Sequence, residues 1–279
     1  VGLGLSFKVL GRLAIPLAVA VPMNYLTCTV AGFWLSHSQA LPLQIMESPW
    51  LFLSVLQGLF YYAGFSLLAL ASQRIGVAVA ALFSRLAMAV PVMVSLVFLG
   101  DALNLAKSAG ILVAFASVVF LSRRNGQPLQ CRQDKYLLLA LSLFGSHGVQ
   151  LSLMNIAQHY YLADDRAYHS YMAASFFFAL VVSCAAFCLQ MIIKRLHLRL
   201  GHIAAGVIVG LFNYTTVYFL LKALSTPGWG GSVVFPLFSI GVVGGSALGA
   251  RLFFKERLTR PQLSGLGLGI LAVALLSLA

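Results

Sequence analysis

The chain has 279 residues, of which 61% are hydrophobic and only 9% charged, too few charges to coat a soluble domain of that length. Eighteen Lys and Arg against six Asp and Glu give a formal charge of +12. The cations sit mainly in short breaks between apolar runs, where membrane topology explains them better than nucleic acid does. A nucleic-acid-binding protein is therefore excluded, and membrane lipids are the expected surroundings.

In chain order the apolar segments are residues 1–10, 14–36, 50–73, 76–100, 105–122, 135–156, 169–193, 201–221, 230–254 and 261–279. About 20 apolar residues span a bilayer as a helix. The runs are continuous rather than alternating, which excludes the strands of a barrel. The first is too short to cross and starts at Val1 without Met, so it is read as part of a truncated first helix. The spans themselves can direct insertion, and no cleavable leader is needed. Cys28, Cys131, Cys184 and Cys188 have neither metal-ligand nor CxxC spacing.

Breaks after odd-numbered segments hold Arg12, Arg74, Arg123, Arg124, Arg132, Lys135, Lys194, Arg195, Arg199, Lys255, Arg257 and Arg260. Breaks after even-numbered segments hold only Lys107, Arg166 and Lys222. Cytoplasmic loops carry the excess of Lys and Arg. The odd breaks are thus expected inside and, with ten spans, both termini outside.

The chain also repeats. Gly58-Leu59-Phe60-Tyr61-Tyr62 in the third segment matches Gly210-Leu211-Phe212-Asn213-Tyr214 in the eighth. Leu82-Phe83-Ser84, Asp101, Leu103 and Gly110 match Leu237-Phe238-Ser239, Glu256, Leu258 and Gly265 in the same order. A unit of five spans inverts its second copy, and inverted repeats place a solute site near the midplane of alternating-access carriers. The expected fold is an all-α integral membrane protein. Its ten transmembrane helices, the first truncated, form two inverted five-helix repeats, residues 1–125 and 133–279.

Several stretches carry a resemblance. Ser232-Val233-Val234-Phe235-Pro236-Leu237 through Phe253-Phe254-Lys255-Glu256-Arg257-Leu258 resembles the last part of an EamA-type repeat of the drug/metabolite transporter superfamily. So do Asn24-Tyr25, Ser84-Arg85 and Tyr218-Phe219-Leu220-Leu221-Lys222-Ala223-Leu224. The resemblance covers essentially the whole chain and rests mostly on Gly, Pro and apolar residues. It implies a ten-helix, two-repeat carrier that exports amino acids, drugs or metabolites, or exchanges nucleotide sugars and sugar phosphates. Many members of that family keep both termini cytoplasmic, opposite to the orientation the charge count favours here.

An ionised group deep in an apolar span costs about 2.5–3.5 kcal/mol on insertion scales. Arg85 sits deep in its span, roughly nine residues or 13 Å at helical rise from the nearer end. Lys8 and Lys222 lie near span ends, where snorkelling is the competing explanation. No Asp or Glu falls inside a span, so Arg85 lacks an obvious carboxylate partner and a bound carboxylate or phosphate would suit its planar guanidinium. For the same reason, proton coupling through a buried acid is not expected. Asn24, Tyr61, Tyr62, Asn213, Tyr214 and His147 complete the substrate-binding candidates. Asn24-Tyr25, Gln57, Gln150 and Asn155 are further polar groups within spans, and interhelical hydrogen bonding is the alternative role for all of them.

Gly206 and Gly210, Gly241, Gly245 and Gly249, and Gly265 and Gly269 form small-xxx-small steps that suit close helix packing. Pro22, Pro91 and Pro236 are expected to kink their spans. Asp101 and Glu256 are expected to stabilise the N-terminus of the helix that follows each.

The function expected is secondary active transport of a small polar, anionic or zwitterionic metabolite across a bacterial inner membrane. A flippase for lipid-linked substrates is the alternative, followed by a channel or a membrane-embedded enzyme. No catalytic cluster or phosphate-binding Gly-rich loop is present in the sequence, and no cofactor or metal is expected. The partners are a small-molecule substrate and lipid; a homodimer is compatible with the sequence.

Overall fold

Backbone buried in hydrocarbon must satisfy its own N–H and C=O groups, and a helix does so within one segment. The computed structural model describes residues 17–36, 46–74, 77–122, 134–194, 200–254 and 259–277, and these form helices and short connections with no strand among them. In chain order the helices are α1 (Leu17–Leu35), α2 (Leu51–Arg74), α3 (Val77–Leu86), α4 (Ala89–Phe98) and α5 (Leu105–Ser122). Then come α6 (Asp134–Tyr161), α7 (Asp165–Lys194), α8 (Leu200–Leu224), α9 (Gly231–Phe254) and α10 (Arg260–Ser277). The expected first span and Lys8 lie outside the described residues, as does Glu256.

Five stretches are long and apolar enough to cross a membrane: Leu51–Ser72, Ala80–Phe98, Tyr136–Tyr161, Asp165–Met191 and Gly201–Leu224. Shorter apolar helices cover Val19–Leu35, Leu105–Phe120, Gly231–Gly245 and Arg260–Leu276. Large apolar side chains such as Trp34, Phe98 and Leu105 are exposed, which suits contact with lipid rather than water. Several hydroxyls inside the spans turn back on their own helix. Thr29 donates to the Tyr25 carbonyl at 2.8 Å, Ser72 to Leu68 at 2.7 Å and Ser152 to Gly148 at 2.8 Å, so the apolar exterior carries few open donors. The chain is an all-α protein with membrane-crossing helices.

The three intramembrane prolines behave differently. Pro91 follows a break in its apolar run, where the Met88 N–H bonds the Arg85 carbonyl at 3.2 Å and the Val90 N–H bonds Ala87 at 3.1 Å. These tighter turns separate α3 from α4 just ahead of a residue with no N–H to give. Pro22 and Pro236, by contrast, lie within the uninterrupted helices α1 and α9.

By compactness the chain divides into two units. The first takes the described residues within 63–155 and 224–277; the second takes those within 17–62 and 156–223. Each unit thus draws on both sequence repeats, and α2 and α6 contribute to both.

In the first unit α5 and α10 pack along their length. A Cβ on Gly110 would lie 2.8 Å from Leu276, and one on Gly269 would lie 2.9 Å from Ile240. Ser117 donates to the Gly265 carbonyl across the same pair at 2.7 Å. Ala71, Ala80, Ala140 and Leu143 form a small-residue core among α2, α3 and α6. In the second unit α1 packs on α7, with Gly32 against Ala173. It also lies against α8, where a Cβ on Gly206 would come within 2.4 Å of Met23 and one on Gly210 within 2.6 Å of Thr27.

The expected close packing holds for Gly206, Gly210 and Gly269 but not for Gly241, which faces open space. A small-residue step permits close approach without supplying a partner.

Candidate functional site

In the second unit the polar in-span residues converge on buried ground. Asn24 of α1 is fully buried, and its Oδ1 accepts a hydrogen bond from Asn213 Nδ2 of α8 at 3.2 Å. The two helices come close enough for this because Gly210 lies one turn before Tyr214 and directly against the Asn24 backbone. The Cys28 thiol donates to the Gly210 carbonyl at 3.2 Å. Tyr25, also on α1, donates its hydroxyl to the Tyr61 carbonyl of α2 at 2.9 Å.

Phe176 of α7, fully buried, is the centre of an aromatic group. Tyr61 stacks on it with ring centroids 4.9 Å apart, Tyr25 at 6.2 Å and Tyr214 at 6.4 Å. Tyr61 and Tyr214 lie in the matched stretches of the two sequence repeats, so corresponding segments of α2 and α8 bring rings to the same side chain. Tyr62 is partly buried beside Tyr25.

Next to these rings, α2 and α7 touch at Gly58, where a Cβ would lie 2.7 Å from the Ser175 carbonyl. Gln57 and Tyr61 sit one turn apart on α2, and Tyr171 and Ser175 one turn apart on α7. Tyr61 and Tyr171 are close enough for their hydroxyls to interact electrostatically, and Trp50 packs edge-on to Tyr171 at 5.8 Å. Neither amide atom of Gln57 has a hydrogen-bond partner, nor has Tyr171 Oη, Ser175 Oγ or Asn24 Nδ2. The Tyr61 hydroxyl lies beside Gln57 but out of hydrogen-bond geometry. Each buried unpaired group costs about 1–3 kcal/mol, so several at one helix contact need a physical reason.

Toward the start of α7 a polar chain reaches the exposed end of the helices. His169 Nδ1 meets the Tyr214 hydroxyl at 2.5 Å, and its ring stacks on Tyr218 at 4.9 Å. Lys222 donates to the Tyr218 hydroxyl at 3.3 Å and to Asp165 at 3.2 Å. The Lys222–Asp165 pair is half exposed, the position expected of a lysine that reaches the interface.

In the first unit, Arg85 is the last but one residue of α3, immediately before the break at Ala87 and Met88. It is partly buried, and among the described residues no carboxylate pairs with it. His147 of α6 is near enough to feel its charge. His147 and Gln150 pack against Gly64 of α2, and Gly148 packs against Val90 of α4. Ser146 Oγ and His147 Nδ1 are buried without a hydrogen-bond partner.

A second polar knot closes the other end of α4. Gly100, at φ +77°, turns the chain out of the helix in the left-handed region that glycine tolerates. The Asp101 N–H then reaches the Ser95 carbonyl at 3.1 Å. The Asp101 carboxylate accepts from the Ser232 N–H at 3.0 Å and from its hydroxyl at 2.6 Å, while Asn155 Nδ2 donates to Ser95 Oγ at 2.7 Å. The expectation that Asp101 serves its own following helix is thereby corrected. Asn104 caps α5 through the Lys107 N–H at 2.7 Å, and Asp101 caps α9.

The candidates therefore fall into two sets. Asn24, Tyr61, Tyr62, Asn213, Tyr214 and Lys222 belong to the second unit, Arg85 and His147 to the first. Trp50, His169, Tyr171, Ser175 and Phe176 were not singled out from sequence. Only the cluster of aromatic and hydroxyl residues in Tyr168-His169-Ser170-Tyr171 could have drawn attention to any of them.

No family model matches the sequence. A Haemophilus influenzae protein, described only as uncharacterized, is 21% identical over 280 residues, spanning 98% of this chain and 92% of its own length. A protein of known crystal structure is similar in fold, with a TM-score of 0.73 at 16% identity over 99% of this chain and 94% of that one. At that identity the likeness concerns the fold alone, and it extends over nearly the full length of both chains.

Proposed function

We propose that the protein is a secondary active transporter, moving a small polar, anionic or zwitterionic metabolite across a bacterial inner membrane by alternating access. In this reading it has ten transmembrane helices in two inverted five-helix repeats of the EamA-like type within the drug/metabolite transporter superfamily. The observation that carries the reading is the meeting of repeat-matched segments at one buried place: Tyr61 and Tyr214 on Phe176, with Asn213 bonded to Asn24. Inverted-repeat carriers form their solute sites from corresponding helices of the two halves. Arg85, without a carboxylate partner among the described residues, supports an anionic group on the solute.

The test is counterflow in proteoliposomes loaded with mixtures of amino acids and organic anions. Exchange above protein-free vesicles is expected, and it should fall at least about tenfold in correctly inserted Arg85→Gln, the loss of one charge-assisted interaction. Exchange of none of these solutes, together with rapid movement of labelled lipid head groups, would replace the carrier reading with a flippase.

A further inference from the structure

We infer that the contact between α2 and α7 is a binding subsite for an uncharged carboxamide group, held by Gln57, Tyr171 and Ser175. The inference deepens the transport reading by naming a group on the solute, and rests on that reading only for the claim that the bound molecule is carried across.

The argument is one of complementarity. Gln57 is fully buried and Ser175 and Tyr171 nearly so; the Tyr171 and Ser175 hydroxyls lie near each other, but none of these side-chain polar atoms has a partner in hydrogen-bond geometry. They are drawn together because Gly58 lets α2 approach the Ser175 carbonyl and because each pair of polar groups repeats one helical turn along its own helix. Gln57 presents one acceptor oxygen and one donor nitrogen side by side, while each hydroxyl can donate or accept. A carboxamide presents the matching set, two N–H donors and a carbonyl oxygen with two lone pairs. It can pair edge to edge with Gln57 and still use Tyr171 and Ser175.

Charge argues the same way. Among the described residues, the buried polar groups at this contact are an amide and hydroxyls, with no Lys, Arg, Asp or Glu. A carboxylate here would gain donors but no counter-charge, and burying it uncompensated is far costlier than burying an amide. Aromatic side chains flank the position, Trp50 against Tyr171 and Tyr61 against Phe176, which suits a small ring bearing the amide.

The test uses nicotinamide and nicotinate as probes of this subsite alone, without the charged group that the proposed solute also carries; they share a ring and differ in amide against carboxylate. Binding of radiolabelled nicotinamide to the purified, detergent-solubilised chain should be saturable and not displaced by a tenfold excess of nicotinate. Gln57→Leu should weaken it at least about tenfold, as expected for losing a pair of hydrogen bonds, and Tyr171→Phe by a smaller factor. Gln57→Leu should also unfold at the same or a higher temperature than the wild type without ligand, because it replaces an unpaired buried amide by an apolar group of similar size. Absence of saturable binding, equal displacement by nicotinate, or undiminished binding by a stably folded Gln57→Leu would each overturn the subsite. Binding that passes these tests without counterflow of glutamine, a zwitterion bearing a carboxamide, would leave the subsite standing and count against transport of its ligand.

Discussion

The Asp101 carboxylate caps a helix 131 residues further along the chain, accepting both the backbone N–H and the hydroxyl of Ser232. This ties the short α4–α5 connection to the first turn of α9, where the helix has unpaired N–H groups and a partial positive charge. Gly230 makes room for it, since a Cβ there would lie 2.1 Å from the carboxylate oxygens.

Asp101→Ala should therefore destabilise the chain by about 1–3 kcal/mol, the cost of a lost cap together with a buried hydroxyl left unpaired. Ser232→Ala should cost about 1 kcal/mol. In a double-mutant cycle the two should be strongly non-additive. Thermal unfolding in detergent measures all three, and additive losses would mean the carboxylate acts elsewhere.

The α1–α8 contact offers a sharper steric test. Gly210→Val places branched carbon against Thr27 and the Asn24 carbonyl, at a position where even a Cβ has only 2.6 Å. The helices must separate, with a loss of about 1–3 kcal/mol or more and of the Asn24–Asn213 hydrogen bond. Gly241→Ala, facing open space, should leave the unfolding temperature unchanged. If both variants unfold alike, the packing assignment fails.

Pro91 gives a prediction about movement. Pro91→Ala restores an N–H just after the turn that separates α3 from α4 and lets a continuous helix form beside Arg85 and His147. Stability should be retained or raised, while the rate of exchange falls several-fold if the break serves as a hinge. A variant with unchanged exchange would show that the break is only accommodated by the fold.

Lys222 and Asp165 form an exposed pair, and such pairs contribute little to stability. Lys222→Met is expected to keep its unfolding temperature and to exchange solute within about twofold of the wild type. A tenfold fall in exchange, with no change in unfolding, would instead place Lys222 in contact with the solute.

Much of this molecule was legible residue by residue. The long apolar runs, Pro91 as an interruption, and Gly206 and Gly210 as a packing face follow from what lipid and backbone require. Asn24 and Asn213 could be picked out because a carboxamide is conspicuous in an apolar run. Their pairing could not, since they are 189 residues apart. Tyr171, Ser175 and Phe176 were less visible for a different reason. In lipid both the packed and the outer faces of a helix are apolar, so periodicity does not mark which side is buried.

The sequence by itself determined an all-α chain of membrane-crossing helices, because continuous apolar runs leave the backbone no other way to satisfy its hydrogen bonds. It also supplied the repeat matches and an Arg85 with no acid in any apolar segment. Tertiary structure decided which of those helices meet. It set Gly58 against the Ser175 carbonyl, gathered the tyrosines on Phe176, and took Asp101 away from its own helix to cap α9. These outcomes depend on where two helices come close enough to touch, which small residues permit but only the packing of the whole chain selects.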